Sequence, residues 1–558
     1  MERSRPAGAG RIARRLFTDA TIWAGDDCIP RAGWLLVDNG LIGGMGDSGD
    51  ALPDADERVD ASGRHVLPGF VDVHTHLTLA ALMPAGGDAA GWRRIQDALA
   101  AVRRAALADA GAPWLLFWNA SPGGWPQARL PTADELDGAA PGRKVLLSGV
   151  DLHRGAVSRA GLDGLSIGGG RRSGRHAGDV GRTRRGPTGE LWEAAFGSAL
   201  QHALADAHAH LGDAGLAELL RAEAGLHLSA GVTHAHDPYV PPSMHQRMTG
   251  LGAATPLRLS WATGPESGLL CPPSDPAEAP DGPYGDAGRE VKFFLDGADR
   301  CGLRLPVAAL PGLVGGTVRE GWRQRSAGPV REGLRRKVTL RGGHLETPYL
   351  RFEDKELVIL LGRYAEAGFR VRMHALGNLA AAQAARVLAR SGVPAGDATI
   401  DHLTVLDRRT ADMVAASGAY ASYQPGFLPR FGPQFAALGI DRHLVVLGGR
   451  LLTTAGAPPV ISSDHPCGPL DPLGNLRTAV SRRLGSGDLL QPAQALTRAE
   501  AVRAATVAAA RSVGGEGSDG LVPGAPATMT ICTGDPFTPD TQVAETWIAG
   551  TRAWPPAP

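Results

Sequence analysis

Lysine is scarce in this 558-residue chain: of 57 basic residues only Lys144, Lys292, Lys337 and Lys355 are lysine. Cysteine is sparse too. Cys28, Cys271, Cys301, Cys467 and Cys532 are scattered without a CxxC pair, which excludes a disulfide framework and predicts reduced thiols in the cytoplasm. Neither sign of charge is in excess, since 57 basic side chains face 57 acidic ones. A general nucleic-acid or membrane-surface binder would carry a basic footprint, so neither partner is expected. No apolar run reaches the roughly 18 residues of a membrane-spanning helix. The basic start, MERSRPAGAGRIARR, leads into no apolar signal segment. The expected partner is a small-molecule substrate, with a homodimer as the assembly to test.

Glycine and proline are plentiful (76 and 42), yet apolar strand-like runs separate them, and 43% of residues are hydrophobic. That composition builds a large core with many loops. Residues 1–13 read as a disordered Arg-rich tail. Short strands punctuated by Gly, Asn and Asp fill 14–64, and a matching pattern returns at 519–558. The two pieces are expected to pair into one small β-sandwich. Between them, over 65–518, strand-like runs alternate with helical stretches, the pattern of a parallel sheet. The runs are HVLPGFVDVHTH, AGVTHAHD, LRLSWAT, VKFFLDG, FRVRMHA, ATIDHL, AYASYQP and PPVISSD. Eight such units close a (β/α)8 barrel, an α/β fold. A ninth run, KVLLSGVDLH, falls in a large insertion at the barrel mouth, about 78–228, with a helix expected over Ala89–Ala110. The Gly/Arg-rich segment 166–186 reads as a mobile rim loop.

Polar, metal-capable residues recur at the C-terminal ends of these runs: His74 and His76, Lys292, His374, His402 and Asp464. In a barrel of this kind that end carries the active site. Residues i and i+2 of a strand share a face, so the imidazoles of HTH can converge on one divalent ion. Lys292 lies inside an apolar strand. A buried ammonium must be paired, neutral or modified; Asp296 and Glu290 are the sequence-near partners, and a neutral amine can add carbon dioxide to become a metal-bridging carbamate. Asp464, in SSDHP, suits a carboxylate that ligates metal and relays a proton. Two features read as packing: the extra HxH of His234 and His236, and Cys467.

These residues resemble the amidohydrolase superfamily of metal-dependent hydrolases, in particular its YtcJ-like branch (amidohydrolase family 3). The resemblance rests on LPGFVDVHTHL (67–77), DLH (151–153), GPTGELWEAA (186–195), GVTHAHD (231–237), VKFFLDGA (291–298), MHALGNLAAAQ (373–383), IDHLTVLD (400–407), ASYQP (421–425), SSDHP with PLDPL (462–473) and GLVPGAPATMTI (520–531). It implies His74, His76, Lys292 (carbamylated when bridging), His374, His402 and Asp464 around one or two divalent ions, zinc being the expected identity. Asp464 and His402 would be catalytic, and His153 and Glu193 would bind substrate. The chain departs from the family at Ala525–Pro526–Ala527, where an Asp is usual, which puts packing of the terminal β unit in question. The expected activity is hydrolysis of an amide or cyclic-amide C–N bond by activated water. A deaminase, a decarboxylase or isomerase on the same barrel, and a non-catalytic binding protein remain the alternatives.

Overall fold

Gly69 divides the first apolar run between two sheets. The computed structural model describes residues 13–556 apart from 110, 166–178, 185, 274, 286–287, 299, 324, 326–329, 331–332, 334–336 and 515–519. Most of the tail 1–13 and of the Gly/Arg segment therefore lies outside the described residues. The run HVLPGFVDVHTH, expected as one strand, is His65–Pro68 in a terminal sheet and then β1 (Phe70–Asp72) in the barrel. A Cβ on Gly69 would lie 2.4 Å from Thr233 Oγ1, so only glycine lets the chain cross between the sheets here. Gly69→Ala is expected to cost about 1–3 kcal/mol through overpacking, read as a lower urea midpoint.

The remaining barrel strands are β2 (Val232–Val240), β3 (Arg258–Thr263), β4 (Glu290–Phe294), β5 (Arg370–Ala375), β6 (Ala398–His402), β7 (Tyr420–Tyr423) and β8 (Pro459–Ile461). All eight pair in parallel and in chain order, β1 to β8. Their burial on both faces explains why they read as apolar runs. The two ends of this sheet meet beyond the strands. Ser463 N donates to Asp72 Oδ1 (3.0 Å), Asp464 N to the His74 carbonyl (2.7 Å) and His76 N to the His465 carbonyl (2.7 Å). That closure brings the segments after β1 and β8 side by side.

The two chain ends join in a single hydrogen-bonded sheet, where a sandwich was expected. Its seam is the antiparallel pairing of His65–Pro68 with Met529–Cys532. Phe17, Leu35, Val66, Ile531 and Trp547 form its core. At the Ala525–Pro526–Ala527 departure, backbone bonds hold the return: Ile42 N donates to the Ala525 carbonyl (2.8 Å) and Ala527 N to that of Gly40 (2.9 Å).

Between β1 and β2 lies a second unit, a six-stranded mixed sheet running from Gly87 to Trp192. The ninth apolar run supplies its strand Val145–Gly149, and the expected helix spans Ile95–Ala108. The unit has its own core around Ile95, Val102, Phe117, Trp125 and Leu147. A helix, Glu193–Ser229, kinked at Gly212, leads back to β2. Among the described residues, no helix is long and apolar enough to cross a membrane.

Candidate active site

The joined ends of β1 and β8 set three side chains together. His74 and His76 lie just past β1, and Asp464 just past β8; one ligand atom from each falls within 4.8 Å of the others. Asp464 Oδ1 is 3.3 Å from His74 Nε2 and 3.3 Å from His76 Nε2. This oxygen is buried without a hydrogen-bond partner. Burial alone would raise the Asp464 pKa, but the surrounding imidazoles hold the carboxyl well below its usual range, so it is an anion.

Two more imidazoles extend the cluster. The His402 ring is 4.8 Å from that of His74 and 4.4 Å from that of His374. Burial pushes the His402 pKa down to about 3 and that of His374 well below the usual histidine value, so both rings are neutral. Gln424 settles the His402 tautomer. Its Nε2 donates to Ser462 Oγ (2.9 Å), which turns its Oε1 toward His402 Nδ1 (3.0 Å). Nδ1 therefore carries the proton, and the lone pair lies on Nε2. His374 Nε2 is likewise buried with no hydrogen bond, 3.4 Å from Asp296 Oδ1. His402, Asp464 and Glu193 all have positive φ (76°, 55° and 43°), a strained backbone of the sort that gathers at functional sites.

The amidohydrolase family profile matches residues 57–553. The chain belongs to the amidohydrolase family. It is 26% identical over 547 residues to the N-substituted formamide deformylase of Arthrobacter pascens, covering 92% of this chain and 94% of that protein. It is 25% identical over 533 residues to the putative amidohydrolase YtcJ of Bacillus subtilis, covering 91% and 92%. A solved metal-dependent hydrolase from Pyrococcus horikoshii shares the fold, with a TM-score of 0.64 at 19% identity over 94% of this chain and 98% of that one.

In this amidohydrolase Lys292 sits deeper than the histidines. Its partner is neither Asp296 nor Glu290 but Asp401, whose Oδ2 lies 2.6 Å from Nζ. Strand register explains the difference: Lys292 is level with Arg372, and Asp401 with His374, so the long side chain reaches diagonally across the lumen. Asp296 instead accepts the backbone N–H groups of Gly302 (2.9 Å), Leu376 (3.0 Å) and Gly377 (3.0 Å). Burial pushes its pKa up to about 7.

The inserted unit contributes His153, and the helix that leaves it contributes Glu193 at its first position. Their side chains meet at 2.8 Å, and the His153 ring is 5.3 Å from that of His374. Glu193 presses on Gly297, where a Cβ would stand 2.1 Å from its Oε2, and its Oε1 is buried without a hydrogen bond. The amidohydrolase thus roofs its strand ends with this pair. His234 and His236 point elsewhere: both contact Ser260 inside the barrel. Cys467 is buried, and burial raises its thiol pKa well above the usual value, the behaviour of an inert thiol. None of the five cysteines forms a disulfide. Asp401 and Gln424 were not singled out from sequence, although each lies inside a quoted motif, IDHLTVLD and ASYQP.

Proposed function

We propose that this amidohydrolase hydrolyses the C–N bond of a small-molecule amide in the cytoplasm, with a divalent ion, zinc, at His74, His76 and Asp464. The observation that carries the reading is that two imidazole nitrogens and an anionic oxygen converge at the closed strand ends. These are donors that zinc accepts. The unpartnered, buried Asp464 Oδ1 and His374 Nε2 are groups that a cation would satisfy. Bound there, zinc would supply the Lewis acidity that makes water nucleophilic at a pH of roughly 7 and polarises a carbonyl.

The side chains do the rest. Asp464 accepts one proton of the attacking water and delivers it to the departing nitrogen, so amide and water become a carboxylic acid and an amine. Gln424 holds His402 with Nε2 free to ligate or to steady the substrate oxygen. His153 and Glu193 close over the substrate and limit its size. Burial favours the neutral amine of Lys292, the form that adds carbon dioxide and releases a proton; the carbamate would bring oxygen donors for a second ion beside His374 and His402.

Similarity to the formamide deformylase makes N-substituted formamides the first substrates to try. Purified enzyme is expected to hold stoichiometric zinc and to release formate and amine together. Protein that holds no stoichiometric divalent ion, or that releases only ammonia from heterocycles, would overturn the reading.

A further inference from the structure

Beneath the ligand cluster the barrel is filled with charge instead of hydrocarbon. Barrel interiors are dominated by Val, Ile and Leu, but here Glu290, Lys292, Arg372 and Asp401 occupy the lumen, none more than 1% exposed. They are the inner part of a continuous chain. His236 Nε2 lies 2.7 Å from Glu290 Oε2. Burial would raise the Glu290 pKa, but Arg372 and His236 hold it below the usual carboxylate range, so the His236 proton sits on Nε2. Its Nδ1 then accepts from Ser260 Oγ (2.9 Å), which in turn accepts from His234 Nε2 (2.8 Å). The guanidinium of Arg372 spans two carboxylates, with Nε 3.3 Å from Glu290 Oε2 and Nη1 2.8 Å from Asp401 Oδ1. Asp401 Oδ1 is 3.1 Å from His74 Nδ1, while its Oδ2 takes Lys292.

The chain ends on a ligand: its His236 Nε2–Glu290 and His74 Nδ1–Asp401 links are close imidazole–carboxylate approaches and not aligned hydrogen bonds, while the Arg372, Lys292 and Ser260 links are hydrogen bonds. Resting on the ion-binding reading above, we infer that His236, Glu290 and Arg372 are positioning residues for His74. They lock Asp401, and Asp401 holds the His74 ring with its proton on Nδ1 and its lone pair, on Nε2, facing Asp464 and the ion. Carboxylates behind a metal-binding histidine set its tautomer and basicity, and their loss weakens metal affinity by roughly 10–100-fold. Here the carboxylate is itself fixed from behind, because an Arg fork meets both carboxylates at once where a Lys could reach only one. The HxH of β2, which belongs to no ligand set, acquires a role as the far anchor of this brace.

The test measures zinc affinity by chelator competition, and the visible spectrum of the cobalt-loaded enzyme, for wild type, Glu290→Gln and Arg372→Lys. Both variants are expected to bind zinc roughly 10–100-fold more weakly, with an altered cobalt band and a native far-UV spectrum. Simple filling of the lumen would leave the cobalt band unmoved. Zinc affinities within about twofold of wild type, with an unchanged cobalt band, would overturn the inference. Should Arg372→Lys not fold, His236→Leu, which removes the contact to Glu290 and the acceptor of Ser260 Oγ, decides by the same readouts. A wild-type enzyme that binds no zinc would instead defeat the ion-binding reading itself, so the two failures are distinct.

Discussion

Asp464→Asn is expected to lower kcat by about 10²–10⁴-fold, the usual contribution of a positioned proton acceptor. The substitution keeps the shape of the side chain and one oxygen donor but removes the negative charge that lies 3.3 Å from both His74 Nε2 and His76 Nε2. Three measurements separate its parts: kcat, zinc content and thermal midpoint. A loss of kcat with zinc retained assigns the effect to proton transfer. A parallel loss of zinc assigns it to ligation. Full turnover with zinc retained would remove Asp464 from the chemistry and with it the proposed mechanism.

The second large effect is expected at Lys292. Lys292→Ala leaves Asp401 buried without its 2.6 Å partner, and breaking a buried pair from one side costs about 3–5 kcal/mol. Arg372 and His74 still contact Asp401, which places the expected loss in urea unfolding free energy at about 3 kcal/mol. Ion content gives a separate reading. A carbamate bridge predicts a fall from two zinc ions to one, and an unchanged count eliminates the bridge. Adding bicarbonate during zinc loading sharpens the comparison, because only the wild-type amine can respond to it.

The eight barrel strands could be read from sequence because their physics is local. A strand buried on both faces must be apolar, and the histidines and Asp464 stand out at its C-terminal end. The residues behind them were not legible for the opposite reason. Glu290 and Arg372, inside VKFFLDG's neighbourhood and FRVRMHA, look like ordinary surface charges until register sets Lys292 level with Arg372 and His374 level with Asp401. Only then do charges from three strands neutralise one another in the lumen. The partner of Lys292 was missed in the same way, since it lies 109 residues along the chain, while Glu290 is taken by Arg372 and Asp296 by backbone N–H groups. Gly69 shows a third limit. HVLPGFVDVHTH has no polar side chain from Val66 to Val71, and nothing in that pattern says that the chain changes sheets. The reason is a tight approach to Thr233, a residue far off in sequence.

The seam between His65–Pro68 and Met529–Cys532 also orders events during synthesis. His65–Pro68, one residue before β1, pairs early with Arg15–Ala24 but meets its second neighbour only after every barrel strand has been made. The second edge of that strand is therefore covered only after all the ligand-bearing segments, Asp464 included, have been synthesised.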